Sequence, residues 1–233
     1  MIRKLAILVA TLALLVAMPA TAWGRAPLHA TLIDVHITRT AAQPSSGANC
    51  TNGEGSSKGL YTRTGWKVQG NKTAHLNTAT VPSGLTNVAS ALGASFAAWK
   101  GAESAAPSIT VANDGTLTKQ AANHRYDLMF GRAGGNTIAV TYTWRWSNGE
   151  IESDTVFNSR LAWFTASSIG DGCYETTVAY DLRNIATHEF GHTYGLGHPG
   201  DDRFETMYAY GYTGETLKWT LARGDVAGVR SVY

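Results

Sequence analysis

Residues 188–198 read His-Glu-Phe-Gly-His-Thr-Tyr-Gly-Leu-Gly-His, which places three histidines at i, i+4 and i+10 with a glycine at i+7. On a helix, His188 and His192 stand on one face a turn apart, so both imidazoles can reach a common point. The flanking residues favour such a helix over 181–194. Asp181 is an N-cap candidate, Leu182, Ile185 and Ala186 form an apolar stripe, and no proline interrupts the run. Gly195 sits where this helix must end, because glycine accepts the left-handed backbone that turns the chain and lets His198 swing back. With seven His, eight Glu and 25 Gly among 233 residues, these four positions together with Glu189 coincide by chance on the order of 10⁻⁵ times in a shuffled chain.

Three neutral imidazoles and no thiolate suit a zinc ion (Zn2+) with one coordination position left open, the arrangement of a catalytic rather than a structural site. His188, His192 and His198 are therefore the expected metal ligands. Glu189 follows the first ligand directly, so its carboxylate falls beside the open position instead of on the metal. There it can act as general base and then general acid. The expected chemistry is hydrolysis of peptide bonds by zinc-activated water, with Glu189 catalytic and no serine or cysteine nucleophile. The alternative is a non-catalytic secreted zinc-containing binding protein with the same fold.

On these residues the chain resembles the metzincin metallopeptidases, and among them the matrixin-like branch. Met207, nine residues past His198 in Glu205-Thr206-Met207-Tyr208, is similar to the family's Met-turn, whose thioether packs beneath the metal. Residues 221–233 resemble the terminal helix of a matrixin catalytic domain, 151–160 the strand before the active-site helix, and 83–99 the first long helix. The resemblance implies an α+β fold: a twisted mixed β-sheet, an active-site helix, a second long helix and a small C-terminal subdomain after Gly195. It also implies that Thr137 to Trp146 is the edge strand that pairs with extended protein or peptide substrate, and it allows a structural calcium (Ca2+). Asp154, Asp171, Asp201 and Asp202 are the oxygen donors considered for calcium, although they lack EF-hand-like spacing. Ala209 stands where some metzincins carry a tyrosine ligand. The cysteine-switch string of matrixin precursors does not occur.

Residues 1–22 read as a secretory signal, with Arg3 and Lys4, an apolar run from Leu5 to Val16 and the small-residue site Ala20-Thr21-Ala22. A secreted, extracellular monomer is expected. No later stretch approaches a membrane span. Removing Arg3 and Lys4 from 19 basic residues leaves 17 against 17 acidic ones, so the mature charge is zero and nothing attracts nucleic acid. Cys50 and Cys173 are the only cysteines, and in an oxidising compartment a disulfide is their natural pairing. The other reading makes Cys50 an inhibitory zinc ligand in a precursor.

Leu28 to Thr38 partly alternates, as a strand or extended arm would. Residues 43–59 are rich in Ser, Gly, Asn and Pro, so 23–59 reads as an N-terminal extension or short propeptide and 60–233 as the catalytic domain. Trp66 to Thr80 has strand character. Val88, Leu92, Phe96 and Trp99 recur at helical spacing and read as core. In 136–147, Ile138, Val140, Tyr142, Trp144 and Trp146 share one face and Thr141, Thr143 and Arg145 the other.

Overall fold

The computed structural model describes residues 28–40, 57–169, 173–175 and 177–233. The expected signal segment, most of the expected 23–59 extension, Cys50 and Asp171 lie outside the described residues. In chain order the elements are β1 Ala30–Thr40, β2 Thr62–Arg63, β3 Lys72–Leu76, α1 Val88–Ala102, β4 Ile109–Ala112, β5 Tyr126–Gly131, β6 Thr137–Trp146 and β7 Ile151–Asn158. These are followed by β8 Trp163–Phe164, β9 Tyr180–Asp181, α2 Leu182–Thr193, β10 Leu196–Gly197, β11 Tyr210–Gly211 and α3 Arg223–Val232.

Seven strands form one mixed sheet in the order β11-β1-β6-β7-β5-β3-β4. β7 lies at its centre, and all eight of its residues are buried. It runs parallel to β5 and antiparallel to β6. The long helices pack on one another and α2 lies against β6. Phe96 of α1 stacks on Phe190 of α2 with ring centroids 3.6 Å apart. Trp99 Nε1 donates to Thr187 O at 2.8 Å. A fully buried aromatic of this kind is worth about 2–3 kcal/mol of burial, and its indole N–H needs the partner it has found. Val88, Leu92, Phe96 and Trp99 are all buried, as their spacing predicts.

Three expectations are corrected by the structure. Helix α1 begins at Val88 rather than Ser83, because Pro82 to Leu85 closes a turn (Leu85 N to Pro82 O, 3.1 Å) and Asn87 is left-handed at φ 56. The strand expected from Trp66 to Thr80 is confined to Lys72–Leu76: Gly70 turns the chain before it at φ +68, and Asn77 caps a short 3-10 turn after it. The third correction bears on function. β6 is not the edge strand, because β1 pairs along its outer side from Ala30↔Trp146 to Arg39↔Thr137. An uncovered edge leaves a row of unpaired backbone groups, and the alternating stretch from the N-terminal extension supplies them.

The main body takes up the chain at Ser57. Its hydroxyl donates to Glu205, its carbonyl accepts from Arg223 Nη2 at 2.7 Å, and Lys58 N donates to Asp202 Oδ2 at 2.7 Å. No helix among the described residues is long and apolar enough to cross a membrane.

Candidate active site

Helix α2 begins as its sequence requires. Asp181 is extended and accepts from Asn184 N at 2.8 Å, an N-cap that satisfies one of the free first-turn donors. The helix ends at Thr193, and Gly195 turns the chain at φ +97. A Cβ at Gly195 would meet Trp66 O at 2.3 Å, so both its conformation and its surroundings demand glycine.

This turn brings the three motif histidines together. His188 Nε2 lies 3.2 Å from His192 Nε2 and 3.2 Å from His198 Nε2. The opposite ring nitrogens are tied to carbonyls: His188 Nδ1 to Thr206 O at 2.6 Å and His192 Nδ1 to Leu196 O at 2.8 Å. A carbonyl only accepts, so the proton sits on Nδ1 and each Nε2 presents a lone pair. Burial, the largest influence, holds His188 and His192 well below the usual imidazole range, and it takes His198 down to about 4. The rings are therefore neutral donors converging on one point. A tetrahedral zinc with Zn–N of about 2.0–2.1 Å separates its ligand nitrogens by about 3.3–3.4 Å, close to the 3.2 Å found here. The donor set fits that ion. Without a cation these lone pairs would oppose one another.

Met207 is buried and lies under α2 at Gly191, where a Cβ would come 2.1 Å from its Sδ and 2.6 Å from Trp99 Cζ2. The backbone of this turn is fixed by Asp225 at the start of α3, whose carboxylate accepts from Thr206 N at 2.6 Å, Met207 N at 3.1 Å and Ala222 N at 2.9 Å. Asp225 thus reaches His188 through the Thr206 carbonyl, as groups outside a metal's ligand set commonly orient the ligands.

Glu189 is fully buried. Thr141 Oγ1 donates to its Oε2 and Thr38 Oγ1 to its Oε1, both at 2.6 Å. Burial pushes its carboxyl up to about 7, against the two threonine hydrogen bonds and the attraction of Lys218, which act to lower it. Lys218 is itself buried. Its Nζ donates to Tyr208 O at 2.8 Å and Tyr210 O at 2.9 Å, which pins the segment leading into β11.

Four residues of this centre were not marked as functional by sequence reasoning. His36 and Thr38 sit on β1, over 150 positions from the motif; their alternating stretch was the one available signal. Thr141 belongs to the polar face of β6, where it and Thr143 turn out to be buried, and its hydroxyl reaches the backbone of α2 at Glu189. Asp225 was visible as part of the terminal helix. Cys173 is fully buried, while its expected partner Cys50 lies outside the described residues. Of the expected calcium donors, Asp154 accepts from Ala121 N and Asp127 N, and Asp202 accepts through Oδ2 from Lys58 N.

Comparison with known proteins places this centre in a family. A family model described as matrixin matches residues 66–233. Metalloendoproteinase 1 of Glycine max is 44% identical over 57 residues, covering 24% of this chain and 18% of the relative. Matrix metalloproteinase-25 of Homo sapiens is 32% identical over 84 residues, covering 36% and 14%. Matrilysin of Homo sapiens is 27% identical over 99 residues, covering 42% and 32%. The matched stretches span under a third of the length of each of these relatives. With the family match covering most of its length, the chain belongs to the matrixins.

Proposed function

We propose that the chain is a secreted zinc-dependent endopeptidase acting on protein or peptide substrates. The observation that carries this reading is the convergence of three neutral Nε2 donors at 3.2 Å, two of them aligned through Nδ1 to carbonyls. His188, His192 and His198 would hold the zinc. When bound, it supplies Lewis acidity to a substrate carbonyl and to water. Glu189 takes a proton from the attacking water and returns it to the leaving amine; its raised pKa suits a group that must both accept and release a proton near neutrality. Thr141 orients that carboxylate, and Met207 supports the histidine helix from below.

The same reading takes residues 1–22 as a cleaved signal and 60–233 as the catalytic domain, pairs Cys50 with Cys173, and treats the protein as a monomer without nucleic-acid or membrane partners. Calcium is a separate proposal, tested by elemental analysis of the purified chain for calcium alongside zinc. The test is zinc stoichiometry together with turnover of a denatured general protein substrate by wild type and Glu189→Gln. Both are measured with the chain intact and cut within residues 41–49, because β1 lies across the site. About one zinc in both proteins, with turnover in wild type only, is expected. Zinc without turnover in either form of the wild type would make the chain a binding protein, and absence of zinc would remove the reading.

A further inference from the structure

We propose that the cavity between the far end of β6 and the segment from Arg63 to Lys67 is a substrate subsite for acidic side chains, roughly three to five residues N-terminal to the cleaved bond. The inference rests on the peptidase reading above and names the class of substrate.

A cavity of about 760 Å3 opens there, lined by Arg63, Trp66, Lys67, Arg145, Ile151 and Val232 among others. Its size is that of a ligand pocket, about 300–1,000 Å3. In a chain of formal net charge +2, three of these side chains are cations, and no carboxylate is among the described residues that line the cavity. All three are exposed, and none forms an ion pair among the described residues. Arg63 Nη1 donates to Ser231 O at 3.3 Å, which leaves most of its guanidinium donors unused, and Lys67 Nζ lies 5.6 Å from the Tyr233 ring centroid. The two carboxylates that flank Ile151 are held elsewhere. Glu150 lies 3.3 Å from Lys72 Nζ and 3.0 Å from His124 Nδ1, and Glu152 accepts from Asn123 N at 2.8 Å and Trp146 Nε1 at 2.6 Å. Like charges gathered without counter-charges repel one another, so the cavity is complementary to an anion.

The cavity is built onto the catalytic centre. Arg63 pairs with Leu196, whose carbonyl aligns His192, and Thr64 N donates at 3.0 Å to Gly195 O, in the turn that returns His198. On β6, Thr141 reaches Glu189, Thr143 follows it on the same face, and Arg145 comes next; both threonines are buried and the arginine emerges. Four residues of strand span roughly 13 Å, the reach of about four residues of an extended peptide. The strand polarity that β6 accepts is visible in β1, which runs antiparallel to it from Ala30↔Trp146 to Arg39↔Thr137. A substrate chain of that polarity carries the residues N-terminal to its cleaved bond toward Trp146, and so past Arg145 into the cavity. Backbone pairing gives such a chain affinity, while pockets beside it select side chains. The cavity ends against the apolar Ile151 and Val232, which favours a short acidic segment over an extended polyanion.

The test has a binding arm and a cleavage arm. Fluorescence anisotropy with labelled acetyl-tetra-Glu and acetyl-tetra-Gln on the zinc-loaded full chain reads the cavity alone. Tetra-Glu should bind about tenfold more tightly in about 0.01 M salt and lose that advantage in about 1 M salt, as the screening length falls from about 30 Å to about 3 Å. For cleavage, a mixture of unstructured peptides is digested with whichever form, intact or cut within residues 41–49, turns over protein, and the cut sites are identified by mass spectrometry. Asp and Glu should be enriched severalfold at three to five residues N-terminal to the cuts. Arg145→Gln should weaken both signals and the triple variant Arg63→Gln, Lys67→Gln, Arg145→Gln should abolish them. On one cleaved acidic peptide the loss should fall on KM rather than kcat, with zinc content unchanged. Cleavage without acidic enrichment overturns the proposal, as does tetra-Glu binding that the triple variant retains. Displacement of tetra-Glu by a sulfated polysaccharide, with no acidic preference at the cuts, also overturns it and makes the cavity a polyanion site. A zinc-loaded chain that binds tetra-Glu through the three cations and cuts nothing fails the peptidase reading instead.

Discussion

Gly191 and Met207 touch where no side chain would fit: a Cβ on Gly191 would lie 2.1 Å from the Met207 sulfur. Gly191→Ala must displace the methionine or the rigid Trp99 ring behind it. Overpacking of this kind costs about 1–3 kcal/mol, more than the roughly 1 kcal/mol that alanine gains over glycine in a helix interior. Met207→Ala alone should cost about 2–5 kcal/mol. The double variant should lose less than the sum, because the smaller residue vacates the clash. Urea unfolding of the four proteins checks this, and strict additivity would contradict the contact.

Asp225→Asn should damage the metal site from a distance. The carboxylate accepts three backbone N–H groups. An amide offers one oxygen and turns an NH2 toward a donor, so at least one buried N–H is stranded at a cost of about 1–3 kcal/mol. Because Thr206 carries the carbonyl that orients His188, zinc affinity should fall by roughly 10–100-fold. Chelator competition measures this, and unchanged affinity would disconnect Asp225 from the site.

Zinc removal should lower thermal stability. An ion held at the proposed site, which the unfolded chain lacks, would contribute about 4 kcal/mol at a free concentration about 1,000 times Kd. Calorimetry with and without a chelator should show a fall in Tm for wild type and little change for His192→Ala.

Asp154 makes stability depend on pH. Burial, with Asp127 and Glu152 nearby, raises its carboxyl to about 8 against two backbone hydrogen bonds. The folded state therefore holds this proton more tightly than the unfolded chain, whose Asp titrates near about 4. Stability from this group is greatest below about 4 and declines as pH rises toward 8, by up to about 1.4 kcal/mol per pH unit. Asp154→Asn should flatten that decline in denaturant titrations between pH 5 and 8, and an unaltered slope would assign it to other groups.

The motif helix and its turn were legible because their determinants are local. Asp181 caps, the apolar stripe faces the core, and Gly195 turns the chain, all within fifteen positions. The fold class followed from the same stretch and its resemblance. The role of β1 was not legible. Partial alternation marks Leu28 to Thr38 as extended, but alternation does not say which edge such a strand will join, and β6 lies about 100 positions away. The pairing of Thr38 and Thr141 on one carboxylate depends on that long-range register. The start of α1 was placed too early by the resemblance of 83–99 to the family's first helix: Pro82 and Gly84 are turn-forming residues, and the left-handed Asn87 delays the helix to Val88.

The central claim is that His188, His192 and His198 hold one zinc, and anomalous diffraction at the zinc edge from crystals of the zinc-loaded chain tests it most directly. A single strong peak about 2.0–2.1 Å from all three Nε2 atoms is predicted. A peak elsewhere, or none at this triad, would contradict the account.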